Sequence, residues 1–344
     1  MQQILTGKFI VHKNRRILYS DRNSHDLRPI FKTAGILLML CGAIVLFIGI
    51  IEIYCYYLFS KGGQFYYQGF GFGSFMFANL TFQIWGYYGI AAVLLFLGYA
   101  HFTPRLWVRN LMLALINVWW IVGIPMLIIF FLIAVTAKQL SIILIILLTL
   151  LLAAAYFFCP FLLRRGYKSH RVTTMLERYD PQVTRFSTVP VNILSICIMD
   201  IFFAGMLHVP LLLNGIFPFF GKWIFGLQGI IFLAISIMVF LFLAWGIYTQ
   251  GTWAWWGTLI WVTVLTASTG LTFLKSEWMQ LLEIIRFPAY EITFLMNMPI
   301  KGWHMALFNC LPLLATDLFL ITNHKYFGIK KRTPIPEILR SGVH

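Results

Sequence analysis

Three carboxylates interrupt otherwise apolar runs of the chain: Glu52, Asp200 and Asp317. A charge at the centre of a bilayer costs roughly 3 kcal/mol on insertion scales, so such acids are rare and mark either an ion or proton path or a polar contact between helices. All three are therefore candidate intramembrane polar positions, and no Lys or Arg within the apolar runs offers them a fixed partner. His208 follows Asp200 by eight residues, which places it about two turns on and roughly 80° around a helix, so the two are not a neighbouring dyad. His208, His101, Arg105, Arg109 and Trp278 fall at the ends of apolar runs and are candidate interfacial positions. The cluster His101, Arg105 and Arg109 is where membrane-face lipid chemistry would sit, and positive charge flanking a span accounts for the same residues.

Other chemistries lack their residues. There is no G-x-S-x-G, no Walker loop and no H-E-x-x-H, and the GFGFG of residues 69–73 has neither the spacing nor the context of a dinucleotide fingerprint. No apolar run carries two histidines, as a haem-bearing helix pair commonly would. The five cysteines are odd in number, sit in apolar runs and form no C-x-x-C, so they indicate neither a disulfide framework nor a zinc site. No catalytic residue, metal or cofactor is expected.

The solvent of these residues is lipid. A chain of 344 residues that is 60% hydrophobic and only 11% charged has runs too long and continuous for half-buried helices of a water-soluble protein. The expected fold class is an all-α polytopic integral membrane protein with about eight transmembrane helices. The net charge of +15 does not form a stripe on a folded basic domain, so no nucleic-acid partner is expected. Basic residues instead collect in an N-terminal arm (residues 1–33), a central linker (166–189) and a tail (323–344). An even number of spans puts all three, and both termini, on the cytoplasmic side, with anionic lipid headgroups as their natural partner. In a bacterium the membrane would be the inner one. The arm shows no secretory signal pattern.

Read in order, the spans are expected at about residues 34–59, 84–100, 111–135, 140–163, 190–220, 224–247, 253–274 and 303–322. Pro125 should kink the third. The aromatic and glycine-rich segment 61–83 looks interfacial, the central linker permits a short amphipathic helix ending before Pro181, and 275–301 reads as an outer amphipathic insertion broken by Pro288 and Pro299.

Displacing the chain on itself by 148 residues pairs Glu52 with Asp200, Phe72-Gly73 with Phe220-Gly221, Gly98 with Gly246 and Trp107 with Trp255. This suggests two parallel four-helix repeats, 34–165 and 190–322, joined by the linker. The scarcity of buried polar groups points first to a non-enzymatic membrane subunit that scaffolds or stabilises a larger complex with other membrane subunits. The alternative is a transporter or channel for a small or apolar solute with its site between the repeats. A lipid-modifying enzyme is the third class.

Overall fold

The computed structural model describes residues 27–136, 141–179, 185–296 and 301–327. Among them, eight helical segments are long and apolar enough to cross a bilayer, which makes the chain an all-α, multi-pass membrane protein. The first is α1 (Arg28–Phe59), with Pro29 in its first turn, where a missing N–H costs nothing. Next come α2 (Phe75–Ala100) and α3 (Leu106–Thr136), which runs through Pro125. The fourth crossing is α4 (Ile142–Ala153), a π turn (Ala154–Phe158) and α5 (Cys159–Lys168) in succession. Pro160 cannot donate to the carbonyl of Tyr156 and its ring crowds that turn, and the wider π turn just ahead of it absorbs the mismatch.

Short α6 (His170–Tyr179) and α7 (Arg185–Thr188) follow at the end of the bundle that carries most of the described Arg residues, called here the basic end. The amphipathic helix expected before Pro181 is α6. Pro181 itself lies outside the described residues, as do most of the basic arm and tail.

The run from 190 to 220 is not one helix. It divides into α8 (Val191–Met206) and α9 (His208–Leu212), because Pro210 has no N–H for the carbonyl of Met206. An antiparallel hairpin then forms from β1 (Phe217–Phe219) and β2 (Lys222–Ile224), absent from the sequence reading. Its two turn residues, Phe220 and Gly221, have φ of 43° and 99°, as a tight primed turn requires. The hairpin is pinned to α11 (Thr252–Lys275): Ser268 Oγ donates to Pro218 O, and the Gly221 N–H donates to Thr272 Oγ1.

The other crossings are α10 (Gly226–Tyr248) and α14 (Gly302–Thr322). Between α11 and α14 the expected insertion forms two short helices, α12 (Trp278–Ile284) and α13 (Ala289–Met296), at the far end of the bundle. Leu281, Leu282 and Ile285 close over Ile216 there.

α2 begins nine residues before the expected Ile84 because Ser74 caps it, accepting from the Phe77 N–H. The preceding aromatic segment is docked rather than loose. Gly73 N–H donates to Leu212 O, Tyr67 Oη donates to Glu291 Oε2 at 2.6 Å, and Phe75 stacks on Phe287.

The helices group in two ways. α1 and α2 zip together through glycines at heptad spacing, Gly35, Gly42 and Gly49, which bring α1 against Gly98, Leu95 and Tyr88. Separately, α3, α8, α10, α11 and α14 form a closed ring, in which each helix packs on two neighbours in the order α3–α8–α10–α11–α14 and back to α3. The ring is the best-buried part of the molecule. The α4–α5 crossing leans on α3 from outside and exposes most of its aliphatic surface.

Candidate functional site: a polar layer inside the helix ring

Two apolar clusters fill the ring. Toward the basic end, Ala114 (α3), Ile193 and Cys197 (α8), Ile247 (α10), Ala254 (α11) and Leu320 (α14) pack together. Toward the far end, Val118, Met199, Phe203, Phe240, Val262 and Leu265 form a second plug, with Leu313 against it. Beside these clusters the same helices carry buried polar side chains.

Their spacing from the core residues is helical. Asp200 is three residues beyond Cys197 of the first cluster and three before Phe203 of the second. Thr258 is four beyond Ala254 and four before Val262. Asp317 lies between Leu313 and Leu320, and Asn117 between Ala114 and Val118. Three or four residues is one helical turn, so each of these polar side chains lies within about a turn of core residues of its own helix; Asn117, bonded to Ser195, belongs with the first cluster, and Asp200 follows directly on Met199 of the second.

The polar groups divide into satisfied and unsatisfied. Asn117 Nδ2 donates to Ser195 Oγ at 3.0 Å, and Ser195 Oγ donates back to the Val191 carbonyl at 2.8 Å, an ordinary interhelical bond. Asp317 Oδ2 accepts from Thr263 Oγ1 at 3.0 Å, whereas its Oδ1 has no partner. Asp200 is 0% exposed and neither carboxyl oxygen is hydrogen-bonded; Thr258 is also 0% exposed with a free hydroxyl. Each unsatisfied buried group costs about 1–3 kcal/mol, so the unsatisfied ones oppose stability rather than supply it.

Glu52 is elsewhere. It lies half-buried toward the far end of α1, which packs along α2, and no bond joins it to Asp200, which is buried in the ring.

The interfacial candidates divide similarly. His101 caps α2 and is completely buried. Its Nδ1 faces the Leu97 carbonyl at 2.6 Å, so Nδ1 carries the proton; Nε2, 2.6 Å from Tyr167 Oη, accepts from the phenol. Burial holds this imidazole below its usual pKa, against a smaller opposite effect of the Leu97 carbonyl, and so favours the neutral ring. Arg109 Nε donates to the backbone carbonyl of Tyr167 at 2.8 Å. His101, Arg109 and Tyr167 thus tie α2 and α3 to α5, while Arg105 is exposed just ahead of α3. His208 bonds the Ala204 carbonyl at 2.9 Å and its ring lies near that of Trp85. Trp278 opens α12, and its side chain lies outside the described residues.

Sequence reasoning missed Thr258, Asn117 and Ser195, which are individually unremarkable hydroxyl and amide residues in apolar runs. It also missed Tyr167, the hub of the basic-end contacts. The glycine zipper was readable from the seven-residue spacing of Gly35, Gly42 and Gly49. Among the described residues, no group of three or more His, Cys, Asp or Glu side chains is arranged to hold a metal ion. No family model, curated protein or solved structure matches the chain.

Proposed function

We propose that the protein moves a small solute across its membrane through the five-helix ring, with Asp200 taking up and releasing a proton or small cation as the ring opens to one end and then the other. One observation carries this reading: Asp200 is sealed from water inside the ring with both carboxyl oxygens unpartnered, and two other helices of the ring, α11 and α14, also carry buried unpartnered oxygens, at Thr258 and Asp317. A buried charge is tolerated only when paired, so a carboxyl here is at home with a proton or cation upon it. The two plugs correspond to closed gates in an occluded state. Alternating exposure would require one cluster to separate while the other stays packed.

The flux experiment uses the full chain in proteoliposomes under imposed pH and Na⁺ gradients, with Asp200→Asn as the variant. The reading expects gradient-driven ion movement that Asp200→Asn abolishes while the protein remains folded by circular dichroism and gel filtration. Equal flux through both proteins would refute it.

A second reading, a scaffolding subunit of a membrane complex, is supported by the α4–α5 crossing, where Ile143 is 76% and Leu147 62% exposed. Stable copurification of other membrane proteins in mild detergent, identified by mass spectrometry and lost when that face is altered, would favour it over transport.

The duplication is part of the proposal. In both halves the first helix packs on the second and the third on the fourth, if α4–α5 counts as one crossing, and this supports an inherited four-helix unit. The ring, however, draws on only α3 from the first half. Cytoplasmic termini likewise remain part of the proposal, supported by the charge distribution.

A further inference from the structure

Of the eight crossings, the fourth buries least of itself within the protein, and it ends in charge at the basic end. Arg164 and Lys168 lie four residues apart on α5 and so project from one face, one turn apart. Arg109, near the start of α3, donates from Nε to the carbonyl of Tyr167 at 2.8 Å and thus stands beside Lys168. Both arginines are close enough to repel the Lys168 ammonium. Among the described residues, the only acid that acts on any of the three is Glu177, and it acts on Arg109 alone. Three cations gathered at one seam with a single acid in reach repel one another, and an anion would relieve that repulsion. We propose that this seam between α3 and α5 binds the phosphate of an anionic lipid.

The two arginines are already held in place. The Arg164 guanidinium lies over the Trp120 ring of α3, 4.8 Å from its centroid, so its face is covered while the N–H groups along its rim remain for phosphate oxygens. Arg109 is fixed by Tyr167 and by a bond from Nη1 to Asn110 Oδ1 at 3.3 Å. Little side-chain order is therefore lost when an anion binds, and exposed Lys168 adds a mobile point charge. Position selects the source of the phosphate. Arg164 is one turn inside the end of a membrane-spanning segment, where headgroups meet the apolar slab. Just before it, Phe161, Leu162 and Leu163 are exposed and lead into the aliphatic surface of α4, which offers acyl chains a path that free phosphate does not need. The site is independent of the ring and of the transport reading.

The test compares the full chain with the double variant Arg164→Gln, Lys168→Gln and with a control of equal charge loss elsewhere at the basic end, Lys32→Gln, Lys325→Gln. Native mass spectrometry and thermal unfolding are followed during titration with phosphatidylglycerol, with phosphatidylcholine and with inorganic phosphate. Phosphatidylglycerol should be retained by, and should stabilise, the wild type and the control, and its affinity should fall on the order of tenfold or more in the Arg164, Lys168 variant. Circular dichroism and gel filtration would verify that this variant folds; if it does not, Lys168→Gln alone, at an exposed position, should still weaken retention on the order of threefold or more. Undiminished retention by the folded variant, an equal loss in the control, or equal retention of phosphatidylcholine by the wild type would overturn the site. Protection by inorganic phosphate equal to that by the lipid would overturn its assignment to a lipid.

Discussion

Gly98→Ala should destabilise the protein although it adds one methyl group to a helix. A Cβ built at Gly98 would lie 2.5 Å from Met39 Cγ, 2.8 Å from Gly35 O and 2.9 Å from Met39 N. The Met39 side chain can turn away, but the two backbone atoms cannot, so α1 and α2 must separate by on the order of 0.5–1 Å to restore ordinary contact near 3.5 Å. Overpacking of this kind costs about 1–3 kcal/mol. Replacing a helical glycine by alanine returns roughly 0.5–1 kcal/mol through backbone entropy. The balance is a loss of up to about 2.5 kcal/mol, centred near 1 kcal/mol because the two backbone atoms cannot give way. Gly86→Ala is the matched control on the same helix, since its Cβ would meet nothing within 4 Å. Reversible unfolding of the full chain in bicelles by added SDS would measure both. Equal stability of Gly98→Ala and wild type, or equal destabilisation by Gly86→Ala, would refute the glycine-zipper argument.

Two other perturbations test other contacts. Because burial depresses the His101 pKa in the folded state, the folded protein binds fewer protons than the unfolded chain as pH falls below the ordinary imidazole value of about 6.5. Stability from His101 should therefore be complete above that pH and decline below it. Thermal unfolding between pH 5 and 7.5 should show a shallower decline in His101→Gln than in wild type. In the ring, a double-mutant cycle of Asn117→Ala and Ser195→Ala should give a coupling of about 0.6 kcal/mol, typical of interhelical bonds in membranes. Strict additivity would remove that bond from the account.

Much of the architecture was legible because lipid makes hydropathy informative: eight crossings follow from eight apolar runs, and seven of the expected starts fall within a turn or two of the helices found. The failures have local causes. Pro210 divides the fifth run, Ser74 starts α2 early, and the primed turn at Phe220-Gly221 creates a hairpin where only a chain reversal was expected. Hydropathy does not report which helices are neighbours, so the ring could not be foreseen. Asp200 stood out because a carboxylate in an apolar run is conspicuous, whereas Thr258 did not, since a threonine can bond its own helix backbone and pass unnoticed. Glu52 was paired with Asp200 by the 148-residue offset, but a match at a fixed offset in sequence does not require two residues to face each other. Tyr167 was invisible because its partners, His101 and Arg109, are some 60 residues away in the chain.

The central claim is that Asp200 exchanges a proton or cation inside the ring. Infrared difference spectroscopy of the full chain in lipid, taken across a pH step and on exchange of Na⁺ for a large organic cation, observes that carboxyl directly. The account predicts a carboxyl signal that changes with one of these exchanges in wild type and is missing from Asp200→Asn. Identical difference spectra from the two proteins would contradict it.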